Sequence, residues 1–558
     1  MNRAQLNRCT KLFEKHPAAI SHLYHQFTKK RLGVVLGAGI GVKIGFPNWH
    51  DLLVRIAEHP KVNGSHLLKG KSGKTATAQI LFQLFKENQL LNTKSQEIYA
   101  RYGNLEIHRE WKKTILDVLY VGTSDNPEDW LKAEPYLKEL VDVIRESNVM
   151  TVTYNFDDTI ERLIRDTSPD IGRRKCTTVW DFTVQGEISN QLERPVIYHP
   201  NGFLARDKKT ISPQMVLLDD SFEDQLVDSF TGHYNALNFH YSSKTCLLLG
   251  ISLEDRTLKH MLRMNARKHC GHVHYLVQHL ADDFEYTEDN LKYLEMEKNA
   301  NFETYNLYTL HLTSQEIGDL LGLMRMPPSQ FISQVAPKVA KKRRFFVMGC
   351  VSVGKSTTVS QFKSLGIISE WTKDMPEEMT KAPSMLSEER EQIIDEWVAE
   401  EVALKNVILD NQDSISLTVI DRTPIDAFAF IQDKGDETNN LWQRKAELFK
   451  EKLGHQTLVG GKIIFLKADA EEIYNRTLQK VRQYSEDDLD NQQEAFLSLI
   501  KIFAEKNSAS VEFVDVTNKT AEQVAKEVAK IIYYNEYEEV GFQSILDAIQ
   551  NKGKDFVV

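Results

Sequence analysis

The chain has 558 residues, 41% hydrophobic and 27% charged, which is ordinary for a globular protein and long enough for several cores. Its formal net charge of -10 excludes a general binder of nucleic acid or anionic membrane, and no apolar run reaches the roughly 18 residues that span a bilayer. The five scattered cysteines include no C-x-x-C pair, which excludes a four-cysteine zinc module and a disulfide framework; with no signal-peptide stretch, the expected compartment is the cytoplasm.

In chain order, the first block alternates strand and helix patterns. Its strand-like runs are LGVVLG, NVMTVTYN, PVIYH, KTCLLLGIS, HVHYLVQ and TYNLYTLHL. Most are continuous apolar stretches, as expected for strands covered on both faces. From about residue 50 to 147 the pattern turns helical, which reads as an inserted lobe. Four loops in this block place polar residues just past an apolar strand: GAGIGVKIGFP, TYNFDDTIERL, VIYHPNGF and LLLGISLEDRTL. Open α/β sheets bind ligands at that edge. The histidines of KHCGHVHY lack an opposing pair of ligands, so they read as structural.

Residues 326–342, with three prolines and a basic run, read as a linker. A second block follows over 343–534, with strands RRFFVMG, LTVIDR, GKIIFLKAD and SVEFVDV. Gly349–Thr357, GCVSVGKST, fits a P-loop, strand before and helix after. There the backbone N–H groups of the turn, Gly349 and Gly354 through Thr357, wrap the β-phosphate, Lys355 neutralises β and γ oxygens, and Ser356 ligates magnesium. Asp421 and Arg422 end the next apolar strand, where an acid positions magnesium or accepts a proton. Arg476, Lys480 and Arg482 form a basic cluster suited to closing over phosphates. A tail over 535–558 carries Phe542, Ile545, Leu546 and Ile549 at helical spacing. The fold class is therefore α/β, two doubly wound parallel-sheet domains in series, the first with a helical insertion.

GCVSVGKST, VIDRTPIDAF and NRTLQKVRQ make the second block resemble the P-loop nucleoside and nucleotide kinases. The resemblance implies ATP and magnesium at Gly349–Thr357 and a small acceptor near Arg422. The first block, over about residues 20–320, resembles the sirtuins, and more closely their bacterial anti-phage branch. The family's glycine turn is matched by Gly37, Ala38, Gly39 and Ile40, with Gly41 in place of serine; its G-[IF]-P element is matched by Gly45, Phe46 and Pro47. Asn155 and Asp157 match the asparagine–aspartate motif, and Gly250, Ser252 and Asp255 the late G-x-S-x-x-D.

The family's catalytic histidine directly precedes glycine; here Asn201 holds that place, and His199 lies two residues earlier, on the same side if the strand's pleat continues. The implied ligand is NAD+, cradled by the Gly37 turn. Asn155 orients water or ribose hydroxyls, His199 acts as base, and Asp157 stabilises developing charge or shapes the nicotinamide pocket. Asn155 and His199 must then share a cavity beside Gly37. Without a zinc lobe, deacylation is disfavoured. The expected activity is NAD+ hydrolysis by a homo-oligomeric anti-phage effector, gated by the second block in response to a nucleotide or phage-derived trigger. The alternative is a nucleoside or nucleotide kinase whose first domain only binds NAD+.

Overall fold

The computed structural model describes all residues except 1, 70–72, 92–95, 98–102, 148, 169–174, 181–193, 209, 232–233, 337–341, 381–387, 414, 432–436, 479–484, 507 and 554–558. The chain divides into two compact units. The first comprises Met1–Leu12, Gln26–Ala266 and Val273–Phe331, and the second Phe13–His25, Arg267–His272 and Ile332–Val558.

The apolar runs become buried parallel strands. In the first unit these are β1 (Leu32–Leu36), β2 (Thr151–Thr153), β3 (Thr177–Val179), β4 (Val196–Tyr198), β5 (Thr245–Leu249), β6 (His274–His279) and β7 (Leu307–Leu312). Among the described residues they form one sheet in the order β3-β4-β2-β1-β5-β6-β7. The second unit holds β8 (Arg343–Met348), β9 (Gly366–Ile368), β10 (Leu417–Asp421), β11 (Lys462–Lys467) and β12 (Val511–Asp515), in the order β12-β11-β8-β10-β9. Both are mixed α/β units with parallel sheets, as expected. In each sheet the strands that follow the first one, β1 or β8, are laid down on one side of it and then on the other. The crevice at the C-terminal end of that strand is where such sheets take ligands.

Two strands escape the sequence reading, β3 and β9. Each has three residues, lies at a sheet edge and is partly exposed, so neither needs the apolar run that marks a covered strand. Two segments read as peripheral are packed. Phe331, Val335 and Ala336 of the linker segment are buried, and the tail forms the helix Phe542–Lys552 with Phe542, Ile545, Leu546 and Ile549 wholly buried. Those four make one apolar stripe, and the Phe542 ring meets Phe346 of β8 edge-on at 5.0 Å. His274 of the histidine cluster is a buried β6 residue whose ring accepts from the Cys246 N–H at 3.1 Å and pairs with the Asn265 amide at 2.8 Å. Among the described residues no helix is long and apolar enough to cross a membrane, and no group of three His, Cys, Asp or Glu side chains is placed to hold a metal.

Candidate functional site

β1, β2 and β5 lie side by side, so the loops that leave their C-terminal ends are neighbours. The Gly37 turn and the Gly250 turn touch backbone to backbone. Gly37 N donates to Leu249 O at 2.9 Å and Gly39 N to Gly250 O at 3.0 Å. A Cβ on Gly37 would stand 2.4 Å from Gly250 O, and one on Gly39 2.7 Å from the Gly250 Cα. The glycines are thus required for the contact between loops, and two of the turn's N–H groups serve that contact instead of pointing to a ligand. Gly41, where the sirtuin pattern has serine, is also tight: a Cβ there would meet the Phe46 Cβ at 3.0 Å.

After a short 3₁₀ stretch, Ala38–Ile44, Gly45 turns the chain in the left-handed region at φ 98. Phe46 and Pro47 follow, and Asn48 caps the helix Trp49–Glu58 by accepting from Asp51 N at 3.0 Å. This order swings Phe46, Pro47, Trp49 and Leu52 onto the wall of a cavity that encloses about 550 Å³ including its mouth. Asn155, Asp157 and Asn201 provide its polar wall, and Leu119 brings in the helical insertion. Tyr120 beside it places its hydroxyl 3.0 Å from Asp158 Oδ1 and 2.7 Å from Leu204 O, so the insertion also braces the turn that carries Asp157.

Asn155 is held at its backbone and its side chain. Its N–H donates to Thr153 Oγ1 at 3.3 Å, and its side-chain Nδ2 donates to Gly37 O at 3.1 Å, which leaves Oδ1 as the acceptor of this wall residue. Asp157 is buried, with Oδ1 accepting from Thr159 N at 3.0 Å at the start of the helix Thr159–Thr167. Burial pushes its carboxyl above the ordinary value, against the pull of the Thr159 bonds and of His199.

His199 does not line this cavity. The pleat that would have put it beside Asn201 stops at Tyr198. From there the chain makes a turn closed by Gly202 N to His199 O at 3.1 Å, with Gly202 at φ 104. The His199 ring lies behind Asn155, fully buried, with Nδ1 2.9 Å from Asn155 O and Nε2 2.8 Å from Glu161 Oε1. Both partners are acceptors, so both ring nitrogens donate and neither keeps a lone pair for a proton. Burial works against the charged ring, but Glu161, the Asn155 carbonyl and Asp157 outweigh it and hold His199 above the ordinary imidazole value.

Asn201 occupies the cavity wall instead. Its amide is fixed from behind: Nδ2 donates to Asp255 Oδ2 at 3.3 Å and Oδ1 accepts from Gln225 Nε2 at 3.2 Å, with Thr257 Oγ1 donating to Gln225 Oε1 at 2.8 Å. Asp255, half-buried and raised by burial, therefore orients Asn201 and does not itself reach the wall. Ser252 is exposed and Ile40 buried, both away from the cavity lining. Glu161 and Gln225 were not among the residues singled out in the sequence. Their partners lie 38 and 24 positions away, where no local pattern reports them.

The second site follows β8. Gly349 at φ 147 and Gly354 at φ 109 shape the P-loop, and the helix from Lys355 opens under it. Lys355 is buried and donates to Gly349 O at 3.0 Å and Cys350 O at 2.7 Å. Burial, reinforced by Arg422, lowers its ammonium to about 8. Asp421 at the end of β10 is raised by burial, with Ser356 hydrogen-bonded to it; its Oδ1 is buried without a partner among the described residues. A carboxylate and a hydroxyl side by side at this turn are oxygen donors that fit a hard divalent cation. Arg422, strained at φ 70, donates to Glu370 Oε1 at 2.6 Å and lies against the Phe430 ring at 5.3 Å. Lys405 donates to Asp421 O at 3.2 Å and is lowered by burial to about 8. Arg476 grips Val353 O of the loop at 3.1 Å, whereas Lys480 and Arg482 lie outside the described residues. Thr357 is exposed on the first helical turn.

A family model described as SIR2-like domain matches residues 149–305. The matched stretch holds Asn155, Asp157, His199, Asn201 and the Gly250–Asp255 loop, so the first unit contains a sirtuin-like part, consistent with an NAD-related role. No curated protein matches the chain. Among solved structures, a thymidylate kinase from Candida albicans is similar at 18% identity and a TM-score of 0.27, covering 36% of this chain and 98% of its own.

Proposed function

We propose that the first unit is an NAD+ glycohydrolase that breaks the nicotinamide–ribose bond to give nicotinamide and ADP-ribose. The observation that carries this reading is the cavity at the sheet's switch point, where Asn155 and Asp157 meet the apolar wall of Phe46 and Pro47 beside the Gly37 turn. In the reaction the C1′–N bond breaks and its electron pair stays with the nicotinamide nitrogen. Positive charge grows on the ribose, water adds to C1′, and one proton is released. An apolar wall costs the cationic pyridinium of NAD+ its hydration but not the neutral nicotinamide that leaves, so the wall favours departure. Asn155 Oδ1 accepts from the water or a ribose hydroxyl. Asp157, whose carboxylate lies at the same wall, faces the developing positive charge and can take the proton. His199, with both nitrogens donating, supports Asn155 and is not the base.

In the wider proposal, the enzyme is an anti-phage effector that depletes NAD+, held at rest until a nucleotide or phage-derived trigger reaches the second unit. The test is chromatography of NAD+ and ATP incubated with the full chain, alone and with a panel of nucleotides. Nicotinamide release that Asn155→Ala abolishes supports the reading. NAD+ intact under every condition removes it.

A second reading is favoured by Lys355, Asp421, Arg422 and Glu370 gathering at the P-loop. Such a set suits phosphoryl transfer from ATP with magnesium to a small acceptor. Transfer of labelled γ-phosphate to a nucleoside and nucleotide panel tests it. Loss of NAD+ cleavage in Lys355→Ala, with no acceptor phosphorylated, would make the second unit a sensor.

A further inference from the structure

We propose that Glu161 is a positioning residue for Asn155, acting through the ring of His199, which it anchors so that the other ring nitrogen fixes the Asn155 carbonyl. The proposal rests on the reading of the cavity as an NAD+-cleaving site.

Glu161 sits in the first turn of the helix Thr159–Thr167, and its Oε1 accepts from His199 Nε2 at 2.8 Å and from Thr178 Oγ1 of β3 at 3.2 Å. Its tether is therefore shared between a helix and an edge strand. The His199 backbone N–H donates to Val179 O at 2.8 Å, and the Phe203 ring meets the imidazole edge-on at 4.7 Å, so the ring has little freedom to turn. Nδ1 then donates to Asn155 O at 2.9 Å. Together with the bonds to Thr153 Oγ1 and Gly37 O, this pins Asn155 at its N–H, its carbonyl and its amide.

A histidine kept only to fill space is satisfied as a neutral ring with one donor and one acceptor. With Glu161 ionised, two acceptor partners demand the imidazolium, hence a buried ion pair, which is a costly way to hold a loop. Among the described residues, the charged or titratable groups near the pair are Asp157 from the Asn155 loop, Asp158 beside it, and Cys176 ahead of β3. The carboxylates favour the charged ring. The relay ends on the residue whose amide faces the cavity, where a misplacement of about 1 Å costs on the order of 100-fold in rate.

The experiment uses the full chain, with Glu161→Ala and Glu161→Gln. Glutamine keeps the shape and can turn its amide to donate to a neutral ring, so position survives while the charge is lost. Expected for Glu161→Ala is a kcat for NAD+ cleavage lowered roughly 10- to 100-fold with KM within about 3-fold. Glu161→Gln is expected within a few-fold of the parent. With ¹⁵N-labelled histidine, NMR at neutral pH should show His199 with both nitrogens protonated in the parent and one in Glu161→Gln. A crystal structure of Glu161→Ala should show the Asn155 amide drawn away from Gly37 O.

Parental kcat in Glu161→Ala, an equal loss in both variants, or a bare ring nitrogen in the parent would overturn the proposal. If Glu161→Ala does not fold, Glu161→Gln and the parent spectrum decide. If the parent cleaves no NAD+ at all, the functional reading fails on its own. The spectra and the Asn155 position in the crystal still judge the relay.

Discussion

The glycine turn after β1 and the glycine turn after β8 occupy the same place in two sheets, and their surroundings differ in charge. Around the second stand Lys355, Lys405, Arg422 and Arg476, answered by Glu370, Asp421 and Asp426. Around the first, the cavity wall is mostly apolar, its amides come from Asn155 and Asn201, and Asp157 supplies its carboxylate. A polyphosphate is held by cations, so the second turn has the equipment to retain and polarise one. The cleavage proposed for the first site breaks a bond to a good leaving group and would need orientation and an apolar wall more than counter-charge. Similar topology thus presents two differently charged crevices, and the side chains at the strand ends make the difference.

The sharpest way to break the comparison is Asn155→Ala. Nicotinamide release should fall about 100- to 1,000-fold, the scale for losing one oriented polar group at a reacting centre, while ATP binding measured by calorimetry stays unchanged. A comparable loss of ATP binding would mean the two turns are not chemically separate.

Next in size, Gly37→Ala forces a Cβ to 2.4 Å from Gly250 O and should cost about 1–3 kcal/mol in denaturant unfolding of the first unit. Gly73→Ala, where a Cβ meets nothing within 4 Å, sets the weaker helix N-cap of alanine against a stiffer unfolded chain and should change stability by less than about 1 kcal/mol. Equal effects would show that the loop contact is not what the Gly37 glycine is for.

Tyr120→Phe removes the hydroxyl bonded to Asp158 and Leu204 and should cost about 1–2 kcal/mol, with a raised KM for NAD+ as the Asp157 turn loosens. An unchanged KM would separate the helical insertion from the site.

Two smaller effects concern protons. Burial and Arg422 lower the Lys355 ammonium to about 8, and a bound phosphate would favour its charged form, so nucleotide binding at about pH 8–8.5 should take up part of a proton and weaken as pH rises toward about 9. Calorimetry in buffers of different ionisation enthalpy reads that uptake, and proton release would contradict it. At the first site the sign is that of a raised histidine. The Glu161–His199 pair contributes stability that is complete below the unfolded value of 6.5 and is lost as pH rises through the higher folded value. The Tm gap between the parent and Glu161→Gln should therefore narrow with rising pH. A gap that widens would place the charge elsewhere.

Much of this was legible in the chain. Covered strands must be apolar on both faces, so LGVVL, TCLLL and RFFVM announced themselves, and the polar residues after them marked the ligand edge. Edge strands β3 and β9 carry no such demand and left no signal. The places of Asn155, Asp157 and the Phe46–Pro47 corner on the cavity wall were readable because they depend on local turns. His199 and Asn201 were harder. The strand pleat extrapolates them to one side, but the turn closed by Gly202 puts the histidine behind the asparagine loop and Asn201 at the wall. Glu161 and Gln225 act through partners far along the chain, and only the folded arrangement connects them.

The most direct measurement is a structure of the full chain with carba-NAD, in which the scissile bond cannot break. The account predicts its nicotinamide end against Phe46 and Pro47, with Asn155 Oδ1 within hydrogen-bond reach of the ribose and Asp157 beside C1′. Carba-NAD found only at Gly349–Thr357, or seated with its nicotinamide away from Asn155, would contradict it.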